Sequence, residues 1–274
     1  DGVTNDITNI TDRHKSWLED ILSPLTVVHG DPRNPNIGDL IKKISSKTEG
    51  FLVGGLTASQ NNFVQLADEV CEGGLSGAMF SLEKVPAQVA LTQGCSPISG
   101  SHRITAADKN LMIELDGRPA LDVFKEDIGD VLARDLQRAA GYIFAALPVA
   151  GSDTVDYLVR NLVGLDAETG ILAIGDHVSS GDLVMFCRRD HDSAIADMKR
   201  MLKDIKSRTK DETIKGGLYF SCCARGPNQF GPENVELKMI SSELGDFPLV
   251  GFFANGEISN NRLYGYTGVL TVFL

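Results

Sequence analysis

The clearest structural pattern in this sequence lies in residues 25–55, which read LTVVHGDPRNPNIGDLIKKISSKTEGFLVGG. Leu25–His29 is a short β-branched run typical of a strand, and Phe51–Val53 is a second such run that ends in two glycines. Between them, apolar residues recur at the spacing of one helical face, at Ile37, Leu40, Ile41 and Ile44. This order predicts a βαβ unit, with two parallel strands joined by a right-handed crossover.

A second stretch near the C-terminus has the same order of elements. Gly217–Cys222 predicts a strand, residues 233–244 predict a helix that ends before Gly245, and residues 248–254 predict the next strand. The apolar stripe of this helix is expected at Leu237, Ile240 and Leu244. The chain therefore contains two predicted βαβ units.

Both units continue into a Gly-x-x-Gly segment that precedes a further strand. These segments are Gly74–Gly77 in the first unit and Gly265–Gly268 in the second. The shared segment favours an ancient internal duplication over the alternative that any two βαβ units look alike.

The sequence between the two βαβ units has patterns typical of antiparallel strands. Arg103–Ala107 and Leu111–Leu115 predict a hairpin, which is followed by a helix that begins near Pro119. Three further segments predict a meander: Tyr157–Val163, Ile171–Ile174 and Leu183–Cys187. The predicted fold class is α/β with mixed α+β character. It consists of two related, pseudo-duplicated modules, each with a βαβ unit and antiparallel strands.

Composition places the chain among acidic globular proteins. Its net charge of −11 and isoelectric point near 4.9 argue against nucleic acid and anionic membranes as partners. No apolar run approaches the roughly 18 residues of a membrane helix, so we expect no membrane insertion. The five cysteines show no paired spacing, which is typical of reduced thiols in the cytoplasm.

The familiar fingerprints of cofactor sites and catalytic sites are missing from the sequence. It has no Gly-x-Gly of a dinucleotide site, no Gly-Lys of a P-loop, no Gly-x-Ser-x-Gly elbow and no Cys-x-x-Cys. The expectation is a protein that binds no cofactor and no metal, and has no catalytic residue.

Loop residues that follow the predicted strands are the candidate ligand-binding positions, because open α/β sheets bind ligands at the carboxyl ends of their strands. Arg225 follows the strand that ends at Cys222, and a guanidinium suits a ligand carboxylate, although it could instead pair with a surface acid. By alternation, either Cys222 or Cys223 faces the opening. Asn255 and Glu257 follow the next strand, where Glu257 either receives a ligand ammonium or is a solvated turn residue.

Glycines beside these loops complete the candidate site. Gly94 and Cys95 follow the predicted strand Gln88–Thr92, and they either line the same pocket with backbone donors or form an ordinary turn. Gly54, Gly55 and Gly94 would let the backbone approach a ligand closely.

Five segments come in a recognisable order: Phe51–Ala58, Thr92–Pro97, Ile104–Leu121, Ser221–Gly226 and Val250–Ile258. Together they span nearly the whole chain and resemble the FIST domain family, the F-box and intracellular signal transduction proteins. The resemblance implies a FIST N-terminal region over residues 1–117 and a FIST C-terminal region over residues 118–274. The family usually has further strand–helix material upstream, which residues 1–23 do not show. We therefore expect the N-terminal region to lack its upstream part.

The resemblance also implies a function, namely a sensory role in signal transduction with small ligands such as amino acids. A signalling output protein is then an expected partner, and the sequence itself shows no kinase, cyclase or F-box segment. From the residues we add a hypothesis for the site. A non-enzymatic domain would bind an amino acid in a cleft between the two modules, with its carboxylate on Arg225 and its ammonium on Glu257.

Two other functions remain open at this point. A protein-interaction adaptor, as in F-box substrate receptors, would show an exposed apolar patch instead of a closed pocket. A thiol enzyme that uses Cys222, Cys223 or Cys95 would need a depressed thiol pKa and a nearby base, and no histidine stands at a suitable spacing.

Overall fold

The computed structural model describes residues 8–149, 156–210 and 212–274. The strands in these ranges are β1 (Pro24–Gly30), β2 (Phe51–Thr57), β3 (Gln65–Ala67), β4 (Glu69–Cys71), β5 (Leu75–Ser81), β6 (Ala87–Gln93), β7 (Cys95–Pro97), β8 (His102–Asp108), β9 (Leu111–Leu115), β10 (Arg118–Pro119), β11 (Ile143–Pro148), β12 (Tyr157–Asp166), β13 (Ile171–Ile174), β14 (Leu183–Arg189), β15 (Gly216–Cys222), β16 (Leu249–Ser259), β17 (Arg262–Tyr264) and β18 (Thr267–Phe273). The helices are α1 (Thr8–Arg13), α2 (Lys15–Glu19), α3 (Ile37–Thr48), α4 (Ala120–Ala133), α5 (Leu136–Ala140), α6 (His191–Arg208), α7 (Pro227–Phe230) and α8 (Val235–Leu244). Among the helices of these three ranges, none combines the length and the apolar character needed to cross a membrane.

The chain folds as two compact units that do not follow the order of the sequence. The first unit combines the residues up to Gln93 with Ile195–Leu274, and the second unit is Gly94–Ala194. Both βαβ units therefore belong to the first unit. The expected regions 1–117 and 118–274 are a different division of the chain, and that division stays a prediction.

The first unit is built on one sheet with the strand order β5-β1-β2-β16-β15-β18-β6, and β17 pairs with β16. The pairs β1–β2 and β15–β16 are parallel, as predicted, and each is flanked by an antiparallel strand, β5 or β18. From β5 to β18 the succession of parallel and antiparallel pairs is therefore the same when read from either end. This symmetry is compatible with the duplication, which stays a prediction.

The two βαβ units are joined edge to edge through antiparallel pairing of β2 with β16. Gly55 of β2 lies opposite Glu257 of β16, and Gly54 lies opposite Ile258. The two halves therefore continue one another in a single sheet, rather than facing each other across the expected cleft. Any ligand site of this unit has to be sought on the faces or the ends of that sheet.

The sheet of the first unit is strongly curved. The rings of Phe80 in β5 and Phe273 in β18 are 6.2 Å apart between centroids, although these strands are five steps apart in the sheet. A flat sheet would hold them about 24 Å apart, because neighbouring strands are spaced at about 4.8 Å. Leu25, Val53 and Val269 pack together on the concave face. On the opposite face α3 buries its apolar stripe, as the residue spacing predicted.

The second unit is built on an antiparallel sheet, with the order β10-β9-β13-β12-β11-β14-β7 and β8 beside β9 and β14. The predicted hairpin of β8 and β9 is present. The predicted meander is wrong, because β14 pairs with β11 and not with β13. Ile143–Ala146 of β11 are all buried, and such a run gains most by lying between two other strands.

His102 in the second unit links two acidic side chains. Its Nδ1 is 2.7 Å from Asp116 Oδ2, and its Nε2 is 2.8 Å from Asp127 Oδ2. Burial alone would lower the pKa of His102, but the hydrogen bonds and charges of the two carboxylates outweigh it and raise the pKa above 6.5. A raised pKa in the folded state means that protonation of His102 stabilises the fold.

We expect His102→Asn to destabilise the chain more at about pH 5.5 than at about pH 9. The contribution of the imidazolium is complete below the unfolded pKa and is lost as the pH rises through the folded pKa. Urea unfolding at the two pH values measures the loss of stability. His177→Asn is the matched control, because His177 is an exposed histidine. An equal loss at both pH values would contradict the role of the charge.

Candidate ligand-binding groove

A groove of about 350 Å³ opens in the first unit where α7 and α8 lie beside β15 and the first half of β16. Its rim is apolar and exposed, with 47% of Leu237, 67% of Val250 and 51% of Phe253 accessible to solvent. Its deeper lining is polar and buried, and consists of Tyr219, Ser221 and Glu236. An apolar mouth over a few convergent polar groups is typical of small-ligand sites.

The carboxylate of Glu236 is the centre of the polar lining. Its Oε1 accepts hydrogen bonds from the Tyr219 hydroxyl at 2.6 Å and from Arg225 Nε at 3.0 Å. Its Oε2 accepts one from the backbone N–H of Gly226 at 3.0 Å. The Ser221 hydroxyl lies 3.3 Å from both carboxylate oxygens. Alternation along β15 places Tyr219 and Ser221 on the same face of the sheet, and this face carries α8.

Arg225 is completely buried next to Glu236. Its Nη2 is 3.0 Å from Glu236 Oε1, and its Cζ lies 4.8 Å from the centre of the Phe230 ring. Burial alone would lower the pKa of Arg225, but Tyr219 and Glu236 raise it above its ordinary value, so the guanidinium is charged. The sequence left open whether Arg225 binds a ligand carboxylate or pairs with a surface acid. In the structure it forms an ion pair with a buried acid, Glu236.

Gly226 has a backbone conformation that only glycine adopts easily. Its φ is +54°, and a Cβ at this position would lie 2.8 Å from the ring of Phe253. The absence of a side chain lets the ring pack on the turn whose N–H binds Glu236. The turn therefore connects the rim of the groove to its polar lining.

The buried stripe of α8 differs from the predicted one. Glu236 and Ile240 are its buried residues, whereas Leu237 is 47% exposed, so the prediction for Leu237 is wrong. A buried guanidinium needs a counter-charge, and the helix is turned so that Glu236 meets Arg225. Glu236 stands four residues before Ile240, on the same helical face, and this spacing was the signal that could have identified it.

Glu257 is fully buried but is not part of the groove lining. Its Oε2 accepts hydrogen bonds from Thr267, at 3.1 Å from the backbone N and 2.8 Å from the hydroxyl. Burial raises the pKa of Glu257 to about 7, although these hydrogen bonds and the charge of Arg225 oppose the rise. Its expected role as the partner of a ligand ammonium stays a prediction.

Strand β16 continues to Ser259, so Asn255 and Glu257 lie within it, and the prediction that they follow this strand is wrong. Cys223 and Asn255 are exposed, and the Cys223 N–H donates to the Ala254 carbonyl at 2.9 Å. Gly54 and Gly55 are buried in β2, and a Cβ on Gly54 would lie 1.7 Å from the Val28 carbonyl oxygen. Strand packing therefore requires Gly54, independently of any ligand.

Gly94 and Cys95 belong to the second unit, where both are buried. The hydroxyl of Tyr157 donates a hydrogen bond to the Cys95 carbonyl. The hydrogen bond with Cys95, together with burial, raises the pKa of the Cys187 thiol. In the first unit burial raises the pKa of the Cys222 thiol to about 12. Cys222 is therefore a protonated thiol near neutral pH, and this argues against its use as a nucleophile.

Comparison with known sequences gives matches over nearly the whole chain. The sequence model described as the FIST N domain matches residues 3–118, and that described as the FIST C domain matches residues 120–260. Every residue that lines the groove falls within the range matched by the FIST C domain.

Curated relatives come from mycobacteria. An uncharacterized protein of Mycobacterium tuberculosis (strain ATCC 25618 / H37Rv) is 34% identical over 195 residues, which are 67% of this chain and 50% of that protein. An uncharacterized protein of Mycobacterium bovis (strain ATCC BAA-935 / AF2122/97) is 30% identical over 234 residues, which are 82% of this chain and 59% of that protein. The chain thus spans about half the length of the curated relatives it matches.

Proposed function

Because this chain belongs to the FIST family, whose domains are generally sensory domains of signal transduction, we propose that it binds a small ligand in the groove above Glu236. The ligand class is an amino acid or a similar small acid with an apolar side chain. Binding is non-enzymatic and is passed to a signalling output protein. The observation that supports this proposal is the apolar rim placed directly over a buried, charged cluster.

The proposed pose follows from the two kinds of lining. The apolar part of the ligand packs against Leu237, Val250 and Phe253, and its polar end is directed at Tyr219 and Glu236. In this pose the ammonium does not need Glu257, because Glu257 does not line the groove. Arg225 remains the cationic group nearest to the polar end, behind Glu236.

The affinity that such a ligand needs is within physical limits. Micromolar binding corresponds to about −8.2 kcal/mol. An amino acid of roughly nine heavy atoms would need a binding free energy of about −0.9 kcal/mol per atom. This is smaller in magnitude than the limit of about −1.5 kcal/mol per atom for the best small ligands. The groove volume of about 350 Å³ lies at the lower end of small-molecule sites, as this ligand size requires.

We expect a thermal-shift screen of the natural amino acids to give a shift for members with large apolar side chains. A ligand at about 100 times its Kd adds about 2.7 kcal/mol, or roughly 5–10 °C for a domain of this size. Phe253→Ala should weaken binding about tenfold, because the ring forms part of the rim. Each variant is compared with its own melting temperature without ligand.

The matched control for this screen is Leu66→Ala, an exposed apolar residue of β3 outside the groove. It should leave the ligand-dependent shift unchanged. A screen in which no amino acid shifts the native chain would reject the ligand class. A shift that Phe253→Ala leaves intact would place the ligand elsewhere.

A protein-interaction adaptor is the second candidate, and the exposed side chains of Leu237, Val250 and Phe253 favour it. The dye 8-anilinonaphthalene-1-sulfonate binds exposed apolar surface and separates the two functions. If amino acids displace the dye from the native chain, the sensor is supported. If the dye binds, Val250→Asp abolishes its binding and no amino acid displaces it, the adaptor is supported instead.

A further inference from the structure

We propose that Tyr219, Ser221, Arg225 and the Gly226 N–H form a carboxylate receptor that Glu236 occupies in the ligand-free chain. A ligand carboxylate takes the place of Glu236 and releases α8. This inference rests on the proposed function. It goes further in naming the ligand group that is recognised and the element that moves.

The hydrogen-bond donors around Glu236 contact its two carboxylate oxygens. Arg225 Nε donates to Oε1 at 3.0 Å, its Nη2 lies at ion-pair distance from the same oxygen, also 3.0 Å, and the Tyr219 hydroxyl donates to it at 2.6 Å. The Gly226 N–H reaches Oε2 at 3.0 Å. Charged and neutral donors that converge on both oxygens fit any carboxylate of suitable size. Glu236 is therefore an internal ligand of the receptor.

The groove connects this receptor with solvent. Tyr219, Ser221, Gly226 and Glu236 all belong to its lining. A ligand that packs its apolar part against the rim already has its polar end beside the Glu236 carboxylate. Arg225 lies behind Glu236, so a ligand carboxylate reaches it only when Glu236 withdraws together with α8.

Glu236 and Ile240 are the buried residues of α8. An ion pair of 3.0 Å between Glu243 and Lys206 joins the same helix to α6 at its other end. The segment before the helix holds two consecutive non-glycine residues with positive φ, +80° at Glu233 and +56° at Asn234. Asparagine adopts this left-handed conformation more readily than glutamate does. Glu236 is the residue through which the receptor holds α8, so α8 is the element of the groove that a competing carboxylate displaces.

The first test compares the affinity of the native chain and Glu236→Gln for 3-phenylpropionate by titration calorimetry. This probe carries a carboxylate for the receptor and a ring for the rim. Glutamine keeps the size of the side chain and removes its charge, so the internal competitor is weakened. We expect Glu236→Gln to bind the probe about tenfold more tightly. The neutral 3-phenylpropanamide should bind neither chain measurably.

The matched control is Glu243→Gln, which removes a charge from the same helix at a position outside the groove lining. It should bind the probe as the native chain does. Equal affinities of the native chain and Glu236→Gln would overturn the receptor proposal. So would binding of the amide as tight as that of the acid.

A measurement on the native chain keeps the proposal testable if Glu236→Gln does not fold. Amide hydrogen exchange of residues 235–244 should become faster when 3-phenylpropionate is bound, because α8 has lost its main anchor. Unchanged or slower exchange in this segment with the probe bound would overturn the release of α8.

The outcomes distinguish this proposal from the proposed function. If amino acids shift the native chain and Phe253→Ala reduces the shift, but the probe shows no preference for Glu236→Gln, the groove is the ligand site and the receptor proposal fails. If neither the amino acids nor the probe binds the native chain or Glu236→Gln, both proposals fail.

Discussion

Arg225→Leu is expected to lower the free energy of unfolding by about 3–5 kcal/mol at neutral pH. The substitution leaves the Glu236 carboxylate buried, with Tyr219, Ser221 and the Gly226 N–H as its remaining donors. Removal of one partner of a buried ion pair is costly because the other charge has been withdrawn from water without compensation. The loss of the Arg225 contact with Phe230 adds to the cost.

The double variant Arg225→Leu/Glu236→Leu should recover most of this loss. Apolar replacement of a whole buried ion pair is often neutral, because the desolvation cost of both charges disappears together. Urea unfolding of the native chain, the single variant and the double variant measures the effect. Failure of the double variant to recover stability would mean that packing, and not charge, decides the cost.

Lys238→Leu is the matched control for Arg225→Leu. Lys238 forms an ion pair with Glu233 at 3.0 Å, but both side chains are largely exposed. Exposed pairs contribute about 0–1 kcal/mol, so this substitution, on the helix that carries Glu236, should change little. If Arg225→Leu costs no more than Lys238→Leu, the buried pair does not hold α8 in place.

Glu257→Gln is expected to stabilise the chain at about pH 8 by up to about 3 kcal/mol and to have little effect at about pH 4. Burial raises the pKa of Glu257 from its ordinary 4.5 to about 7 in the folded chain. The carboxyl is thus more easily protonated in the folded than in the unfolded state. Its contribution is most favourable below pH 4.5 and is lost as the pH rises through about 7.

Glutamine reproduces the protonated carboxyl at every pH. Its side-chain oxygen can keep the two hydrogen bonds from Thr267. Urea unfolding between about pH 4 and pH 8 gives the difference, with the exposed Glu69→Gln as the control that should show no such dependence. A Glu257→Gln chain that is less stable than the native chain at the upper pH would show that the ionised carboxylate is favoured in the fold.

In the proposed function, ligand binding and stability depend on the same region of the first unit. Glu236 belongs to the polar lining of the groove, and its buried ion pair with Arg225 is expected to stabilise the fold. A ligand that competes for Arg225 therefore acts on the stability of α8 directly. In this arrangement a small ligand can influence a whole helix without a separate transmission pathway.

Several features were predictable from local sequence, because they depend on neighbours along the chain. The β-branched runs and the helical spacing of Ile37, Leu40 and Ile41 predicted the first βαβ unit, and the order of segments predicted the second. The turn after β15 was identified as a place of interest because Arg225 follows a strand end. For these features, residue spacing and turn chemistry were sufficient.

Contacts between distant parts of the chain required the tertiary structure. Pairing of β2 with β16, insertion of β11 between β12 and β14, and the choice of Glu236 as the partner of Arg225 all join segments whose spacing carries no signal of the contact. Strand alternation says which residues share a face, but it does not say which strand comes next to which. Likewise, a buried guanidinium demands a carboxylate, but only the packing of α8 on β15 determines which acid can reach it.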